Sequence, residues 1–358
     1  MNTETKSTPL VYMGEDAIKD TDVRYYDVRK KPFSLYGFYN PETESELIRL
    51  PHALADVSEG VRTHYKHSAG ARVRFCTDSS YVVIRGRMTE VGRHSVITFS
   101  CTAGFDLYLD EPQTERSVFC AGLMPSSRTT DDFALIHRFP DRRLRYLTVY
   151  LPMHSALHSL EIGLQEDAAV GEGMPYRNTL PVVFYGSSIT QGVSASRAGN
   201  SYVSMISRRY NMNVLNLGLA GSCRAEDPIV DHLSTLSMSA FVSDYDYNAP
   251  SVDYLRSTHC KMYQKIREKH PDIPYVMISR PNFSANPEDH ANRRDVIMNT
   301  YRFAREQGDK DVYYIDGEGF FKGEWEDTCT VDGVHPNDLG FHFMAQTIGN
   351  TLGKLILP

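Results

Sequence analysis

From Arg72 to Gln165 apolar and polar residues alternate with a period of two, in RVRFCTDSSYVVIRGRM, SVITFSCTAGFDLYLD, LRYLTVYLP and HSLEIGLQ. Val, Ile, Tyr, Phe and Thr fill these runs and turn residues break them, which is the pattern of half-buried antiparallel strands. An all-β sandwich of jelly-roll-like form is expected here. Upstream, KPFSLYGFYNPETESELIRLP carries Pro and Gly punctuation and is placed in the same domain on a weaker pattern.

The segment EDAAVGEGMPYRNTL, residues 166–180, is polar and has no sustained period, so it reads as a linker. Its core, 171–180, separates an N-terminal domain at 1–170 from a second domain at 181–358. There the period changes. PVVFY (181–185) is a short apolar run of the kind buried on both sheet faces. A helix follows over 200–210, then strands near 214–217 and 240–244, a helix over 252–269, a strand over 275–279, a helix over 289–306, a strand over 312–315 and a last helix over 339–352. Strands alternating with helices predict βαβ units and a parallel sheet covered on both faces, an α/β fold whose ligands sit at the carboxyl ends of the strands.

Composition narrows the function. At 358 residues the chain is long enough for two cores, and 41% hydrophobic with 23% charged residues is ordinary for a globular protein. A net charge of −7 with scattered Lys and Arg lacks the basic footprint that nucleic acid requires. No apolar run approaches the ~20 residues that span a bilayer. The opening MNTETKSTPLVYMGED lacks both a basic n-region and an apolar h-region. As it stands the chain is therefore expected in the cytoplasm, with export left open should a signal peptide have been removed ahead of Met1. The six cysteines are dispersed and expected to be free thiols, and no Cys/His spacing suits zinc, so neither metal nor cofactor is expected.

Four strand ends carry candidate chemistry. In VVFYGSSITQG, Gly186 permits an unusual backbone conformation, and Ser187 and Ser188 follow where a serine can face substrate among backbone amides; helix capping is the plainer role. In VLNLGLAGS, Gly218 and Gly221 allow close backbone approach to a ligand. In SDYDYNAP, Asn248 offers a neutral amide to an oxyanion, although an Asx turn before Pro250 would use it as well. In VDGVHPND, Asp332 and His335 lie three apart in a turn through Gly333, so the carboxylate can reach and orient the imidazole. His259, His270 and His342 fall within or at the end of predicted helices and are less well placed to act as a base.

Taken together and in this order, GSSIT resembles the GDSI/L block, Gly221 falls at an oxyanion glycine, YDYNA resembles the GxND block and DGVHP matches the DxxH block of the SGNH, or GDSL-like, hydrolases. The resemblance covers Pro181 to the C-terminus. It implies a three-layer α/β/α domain of flavodoxin-like type, with Ser188 as nucleophile, His335 as base and Asp332 as its orienter. It also implies an oxyanion hole built from the amides of Ser188 and Gly221 and the side chain of Asn248. The α/β-hydrolase elbow GxSxG is absent. Ser187, Asp246 and Ala249 depart from the blocks, which usually carry Asp, Gly and Asp there. Ser187 and Asp246, with Arg224 and Arg280, are candidate substrate contacts; surface or structural roles are the plainer reading for the two arginines.

The whole chain, including the phrase GARVRFCTDSS, is similar to two-domain members that act on acylated carbohydrates or transfer acyl groups to small molecules. The expected activity is hydrolysis of a short acyl ester, acetyl for preference, on a small molecule or carbohydrate. An acyltransferase acting on a sugar or natural-product hydroxyl is the first alternative. A carbohydrate-binding protein with a degenerate esterase domain is the second.

Overall fold

The computed structural model describes residues 22–92, 94–125, 132–323 and 325–357. The opening stretch MNTETKSTPLVYMGED, in which no targeting signal is expected, lies outside the described residues. Two antiparallel sheets form the first half. One orders the strands β1 (Val23–Asp27), β9 (Ser155–Gln165), β4 (Tyr81–Val91) and β7 (Asp132–Arg138). The other orders β10 (Val170–Glu172), β3 (Arg72–Thr77), β8 (Arg145–Tyr150), β5 (Phe105–Glu111) and β6 (Arg116–Leu123), with β2 (Ser34–Tyr36) also on β3. The alternation in the sequence places Val82, Ile84, Leu135 and Ile162 of one sheet against Val73, Phe75, Leu107 and Val149 of the other in a single apolar core.

Three details differ from expectation. Residues 99–103, read within a strand, form helix α2 (Phe99–Ala103), because the Thr98 hydroxyl accepts from the Cys101 N–H at 3.2 Å and starts a helical turn. The supposed linker contains β10, which extends the sheet along β3. The segment upstream of residue 51 serves both halves. Leu47 packs in the sandwich core, whereas Ile48 and Leu50, with Leu54, Val61 and Tyr65 of the following turn and helix α1 (Glu59–His64), join the core of the second half.

That second half is a parallel sheet ordered β12 (Val214–Gly218), β11 (Val182–Gly186), β13 (Ala240–Asp244), β14 (Tyr275–Ile278) and β15 (Val312–Ile315), the 2-1-3-4-5 order of flavodoxin-like folds. Val182 and Phe184 face α4 (Tyr202–Tyr210) and α8 (Asp338–Ile356). Val183 and Tyr185 face α5 (Asp227–Thr235), α6 (Val252–Lys269) and α7 (Pro287–Glu306). The nine-residue α5 was not expected. It presents Ile229, Val230 and Leu233 inward, too short an apolar stripe to announce its period. All six cysteines are free. Among the described residues no helix is long and apolar enough to cross a membrane, and no cluster of His, Cys, Asp or Glu is arranged to hold a metal.

Polar contacts lock the halves together. Arg49, 1% exposed, donates to the carbonyl oxygens of His64 (2.6 Å), His67 (2.6 Å), Asn216 (2.8 Å) and Gly218 (2.9 Å), the last two on β12. Burial lowers its affinity for the proton, to about 9, which still leaves it a cation at neutral pH. Arg72 similarly donates to the Val214 carbonyl oxygen, at 3.0 Å. Arg49→Met fills most of the volume but removes the side-chain donor from four carbonyl groups; that of His64 keeps the His67 N–H at 3.2 Å, and each one left buried without a partner costs roughly 1–3 kcal/mol. Urea unfolding should show a loss above about 3 kcal/mol. A loss below about 1 kcal/mol would mean that other donors serve those carbonyls.

Candidate active site

Strand β11 lies between β12 and β13, so the chain leaves it at the point where strand order reverses, and the crevice of the fold opens there. Gly186 pairs with Gly218 on one side and Asp244 on the other. Its role is close packing rather than unusual φ. A Cβ at this position would stand 2.0 Å from the Thr190 hydroxyl and 2.5 Å from the Asp244 carbonyl oxygen. The chain then turns directly into α3 (Ser188–Gln191). Ser188 occupies the first helical position, where a backbone N–H has no partner within the helix and points outward.

The last loop brings the other two members of the expected triad to Ser188. Asp332 Oδ1 accepts from the N–H groups of Val334 (3.0 Å) and His335 (2.8 Å), closing the turn, while Oδ2 lies 2.8 Å from His335 Nδ1. His335 Nε2 lies 2.9 Å from Ser188 Oγ. With Nδ1–H donated to the carboxylate, Nε2 carries the lone pair that accepts the serine proton. Burial pushes the Asp332 carboxyl up, but the His335 and Val334 backbone donors and the imidazole outweigh it and hold the group below the usual range, hence ionised. Asn282 donates from Nδ2 to the Gly333 carbonyl oxygen and steadies this loop from the side.

The two remaining expected oxyanion donors lie in the segments after β12 and β13, the strands that flank β11. Gly221 has φ of +73°, in the left-handed region that favours glycine, and open space lies where a Cβ would be. Asn248 Oδ1 accepts from the Cys223 N–H at 3.2 Å, which fixes the amide orientation and leaves Nδ2 as its donor. A polar cavity of about 770 Å³, lined by Asn282, Ser284, Glu326, Asp327, Thr330 and Asp332 among others, borders the triad.

Three of the four candidate substrate contacts are corrected. Ser187 is fully buried and its hydroxyl accepts from the Ile189 N–H at 3.2 Å, capping α3. Asp246, 1% exposed, faces inward. Its Oδ2 accepts from the Arg280 N–H (3.2 Å) and lies 3.4 Å from Arg280 Nε. Arg280 is buried too, over the ring of Tyr247 and bonded to Asp289 at 3.1 Å and to the Asp246 carbonyl oxygen. Arg293 donates to the carbonyl oxygens of Asp246 (2.7 Å) and Ala249 (3.0 Å). These buried groups therefore bond within the protein and brace the turn that carries Asn248. Arg224 alone of the four is exposed, with its guanidinium 3.4 Å from the Gly221 carbonyl oxygen. Residues that sequence reasoning did not single out are Arg49, Gln191, Asn282 and the paired imidazoles of His67 and His154, since no local pattern marks a buried contact between distant segments.

Two residues after Ser188, the Thr190 hydroxyl donates at 2.9 Å to Asp244 Oδ2, which also accepts from the Tyr202 hydroxyl at 3.0 Å. Burial, and then the charge of Asp246, raise its carboxyl to about 7 against the pull of those donors. The native state thus keeps a proton that the unfolded chain releases near pH ~4. The associated stability is complete below that pH and is lost as pH rises through about 7. Asp244→Asn should flatten this dependence when urea midpoints at pH 5 and pH 8 are compared. An equally steep fall in the variant would assign the dependence to another group.

Comparison with known proteins agrees with both halves. The family of GDSL-like lipases and acylhydrolases matches residues 179–353, and the N-terminus of SGNH-hydrolase-type esterases matches residues 23–170. No curated protein matches the sequence. Among solved structures, a Bacteroides ovatus protein assigned as a GDSL-like lipase is 28% identical with a TM-score of 0.81, over 93% of this chain and 98% of its own. The salicylyl-acyltransferase SsfX3 of a tetracycline biosynthetic pathway is 17% identical with a TM-score of 0.78, over 95% and 100%. A family two carbohydrate esterase from Cellvibrio japonicus is 11% identical with a TM-score of 0.61, over 93% and 98%. At the two lower identities the likeness is one of fold. With both halves matched in order and the same two-domain arrangement in solved relatives, the chain belongs to the SGNH (GDSL-like) hydrolase family, in its two-domain form with an N-terminal β-sandwich.

Proposed function

We propose that the protein is a serine esterase that removes a short acyl group, acetyl for preference, from a carbohydrate through an acyl-serine intermediate. The observation that carries this reading is the continuous line from Ser188 Oγ to His335 Nε2 (2.9 Å) and from His335 Nδ1 to Asp332 Oδ2 (2.8 Å). His335 takes the Ser188 proton as Oγ attacks the ester carbonyl. The N–H groups of Ser188 and Gly221 and Nδ2 of Asn248 receive the oxyanion. The imidazolium then protonates the departing alkoxide as the C–O bond breaks. Water repeats the sequence on the acyl-serine, releasing a carboxylic acid and restoring the serine.

The preference for a polar alcohol rests on the cavity beside Asp332, whose lining of Asn, Ser, Thr and carboxylate side chains suits hydroxyl groups better than an acyl chain. The family two carbohydrate esterases among the structural neighbours fit the same preference. Transfer to an acceptor other than water would use the same acyl-serine, and the salicylyl-acyltransferase shares this fold. A binding protein with a degenerate site is disfavoured. Two of the departures that suggested it, Ser187 and Asp246, have structural work to do, and the hydrogen-bonded line is intact.

Ser188→Ala should reduce p-nitrophenyl acetate turnover to background without shifting the melting temperature, and a fluorophosphonate should label the parent protein at Ser188 alone. Asn248→Ala should lower kcat about 100- to 1000-fold. Full turnover in Ser188→Ala would refute the nucleophile assignment. A panel of acetylated sugars, assayed for acetate with and without an alcohol acceptor, should yield free acetate in both cases; acyl transfer that dominates at low acceptor concentration would favour the transferase.

A further inference from the structure

Gln191 closes α3, three residues after Ser188, and is fully buried. Its carboxamide meets three partners from three parts of the chain. Oε1 accepts from the Ala220 N–H at 2.9 Å, one residue before Gly221. Nε2 lies 3.1 Å from His154 Nδ1 and 3.3 Å from His67 Nδ1, both in the N-terminal half.

The backbone donor settles the polarity of this junction. A flipped amide would set its NH₂ against the Ala220 N–H, donor to donor, so Oε1 must face Ala220 and the NH₂ must face the imidazoles. Both Nδ1 atoms are then acceptors, and each ring carries its proton on Nε2. Such rings must be neutral. Burial favours that form in both; neighbouring cations and imidazoles reinforce it at His154, and Glu90 opposes it at His67. His67 Nε2 faces Glu90 at 3.8 Å, and that carboxylate, held at about 2 chiefly by His67 against burial and further by Lys66, is ionised. The same N-terminal segment reaches β12 through Arg49, which donates to the Asn216 and Gly218 carbonyl oxygens just ahead of Ala220.

We propose that Gln191 is a positioning residue for the oxyanion hole, holding the loop that carries the Gly221 N–H at a fixed distance from Ser188, and that His67 and His154 of the N-terminal domain orient its amide. The sandwich is then part of the catalytic machinery and more than a platform beside it. This rests on Ser188 being the nucleophile. A donor that drifts by a fraction of an ångström loses value mainly when charge develops, so the defect falls on kcat and spares KM.

Gln191→Met keeps the length and removes both halves of the amide. It should lower kcat for p-nitrophenyl acetate roughly 10- to 100-fold with KM within about twofold. Gln191→Glu, which retains the acceptor for Ala220, should recover part of that loss. His154→Leu removes an orienting acceptor from outside the α/β domain and should lower kcat about 3- to 10-fold with KM again unchanged. Melting temperatures establish that each variant is folded, and if Gln191→Met does not fold, His154→Leu decides. Wild-type kcat in folded variants, or a rise in KM at unchanged kcat, would overturn the proposal. With Ser188→Ala in the same assay the failures separate: an inactive Ser188→Ala beside a wild-type-like Gln191→Met overturns this inference alone, whereas an active Ser188→Ala overturns the nucleophile and this inference with it.

Discussion

The site depends on one register. Gly186, Gly218 and Asp244 lie side by side at the ends of three parallel strands, so the chain leaves the sheet three times at one level. The first exit carries Ser188, the second Gly221 and the third Asn248. Parallel pairing enforces this because a slip of one residue would turn Val183 and Tyr185 from one helical layer into the other and bury the wrong set. The absence of a Cβ at Gly186 lets Thr190 and the Asp244 carbonyl close over the strand end, so the helix that begins at Ser188 starts without a spacer. Only the Asp332–His335 turn arrives from elsewhere, and it is self-contained, its carboxylate accepting from two backbone N–H groups as well as the imidazole.

Asp246 shows how a departure from the common sequence blocks is absorbed. A buried carboxylate is costly unless charge and hydrogen bonds compensate it. Here Arg280 supplies both a backbone donor and a guanidinium, and Arg293 and Asp289 extend the set. Removing one member of such a buried pair typically costs ~3–5 kcal/mol, because the partner is left uncompensated, even where the intact pair contributes little net stability. The return is specificity of shape: the guanidinium groups fasten to the carbonyls of Asp246 and Ala249, on either side of Asn248, the expected oxyanion donor.

Much of this was legible in the residues themselves. Period-two runs marked the sandwich, buried apolar runs marked the parallel strands, and the spacing of Asp332 and His335 described a turn that could close on itself. What stayed hidden shares a cause. Ser187 and Ser188 are chemically alike, and only the cap bond to Ile189 separates their roles. Residues 99–103 read as strand until the Thr98 hydroxyl is seen to start a helix. The nine residues of α5 hold too few turns to outweigh the strand preference of Ile229 and Val230. Arg49, Gln191 and Asp246 are polar residues whose burial is decided by segments far away in the chain, and no local period encodes that.

The same long-range contacts bear on what a domain is in this molecule. By sequence the boundary falls near residue 171, yet Ile48, Leu50, Leu54 and Val61 pack into the core of the second half. Arg49 donates four hydrogen bonds to carbonyl groups, two of them on a strand of the other domain. Because a buried carbonyl group without a partner is penalised more than a made bond is rewarded, these contacts resist separation more strongly than their net stabilisation suggests. The end of β12 and the loop after it are thus braced from the N-terminal side, at Asn216 and Gly218 by Arg49 and at Ala220 by Gln191 with its two imidazoles. A hole whose donors must stay still while charge appears gains from being held between two domains, since neither can relax without the other.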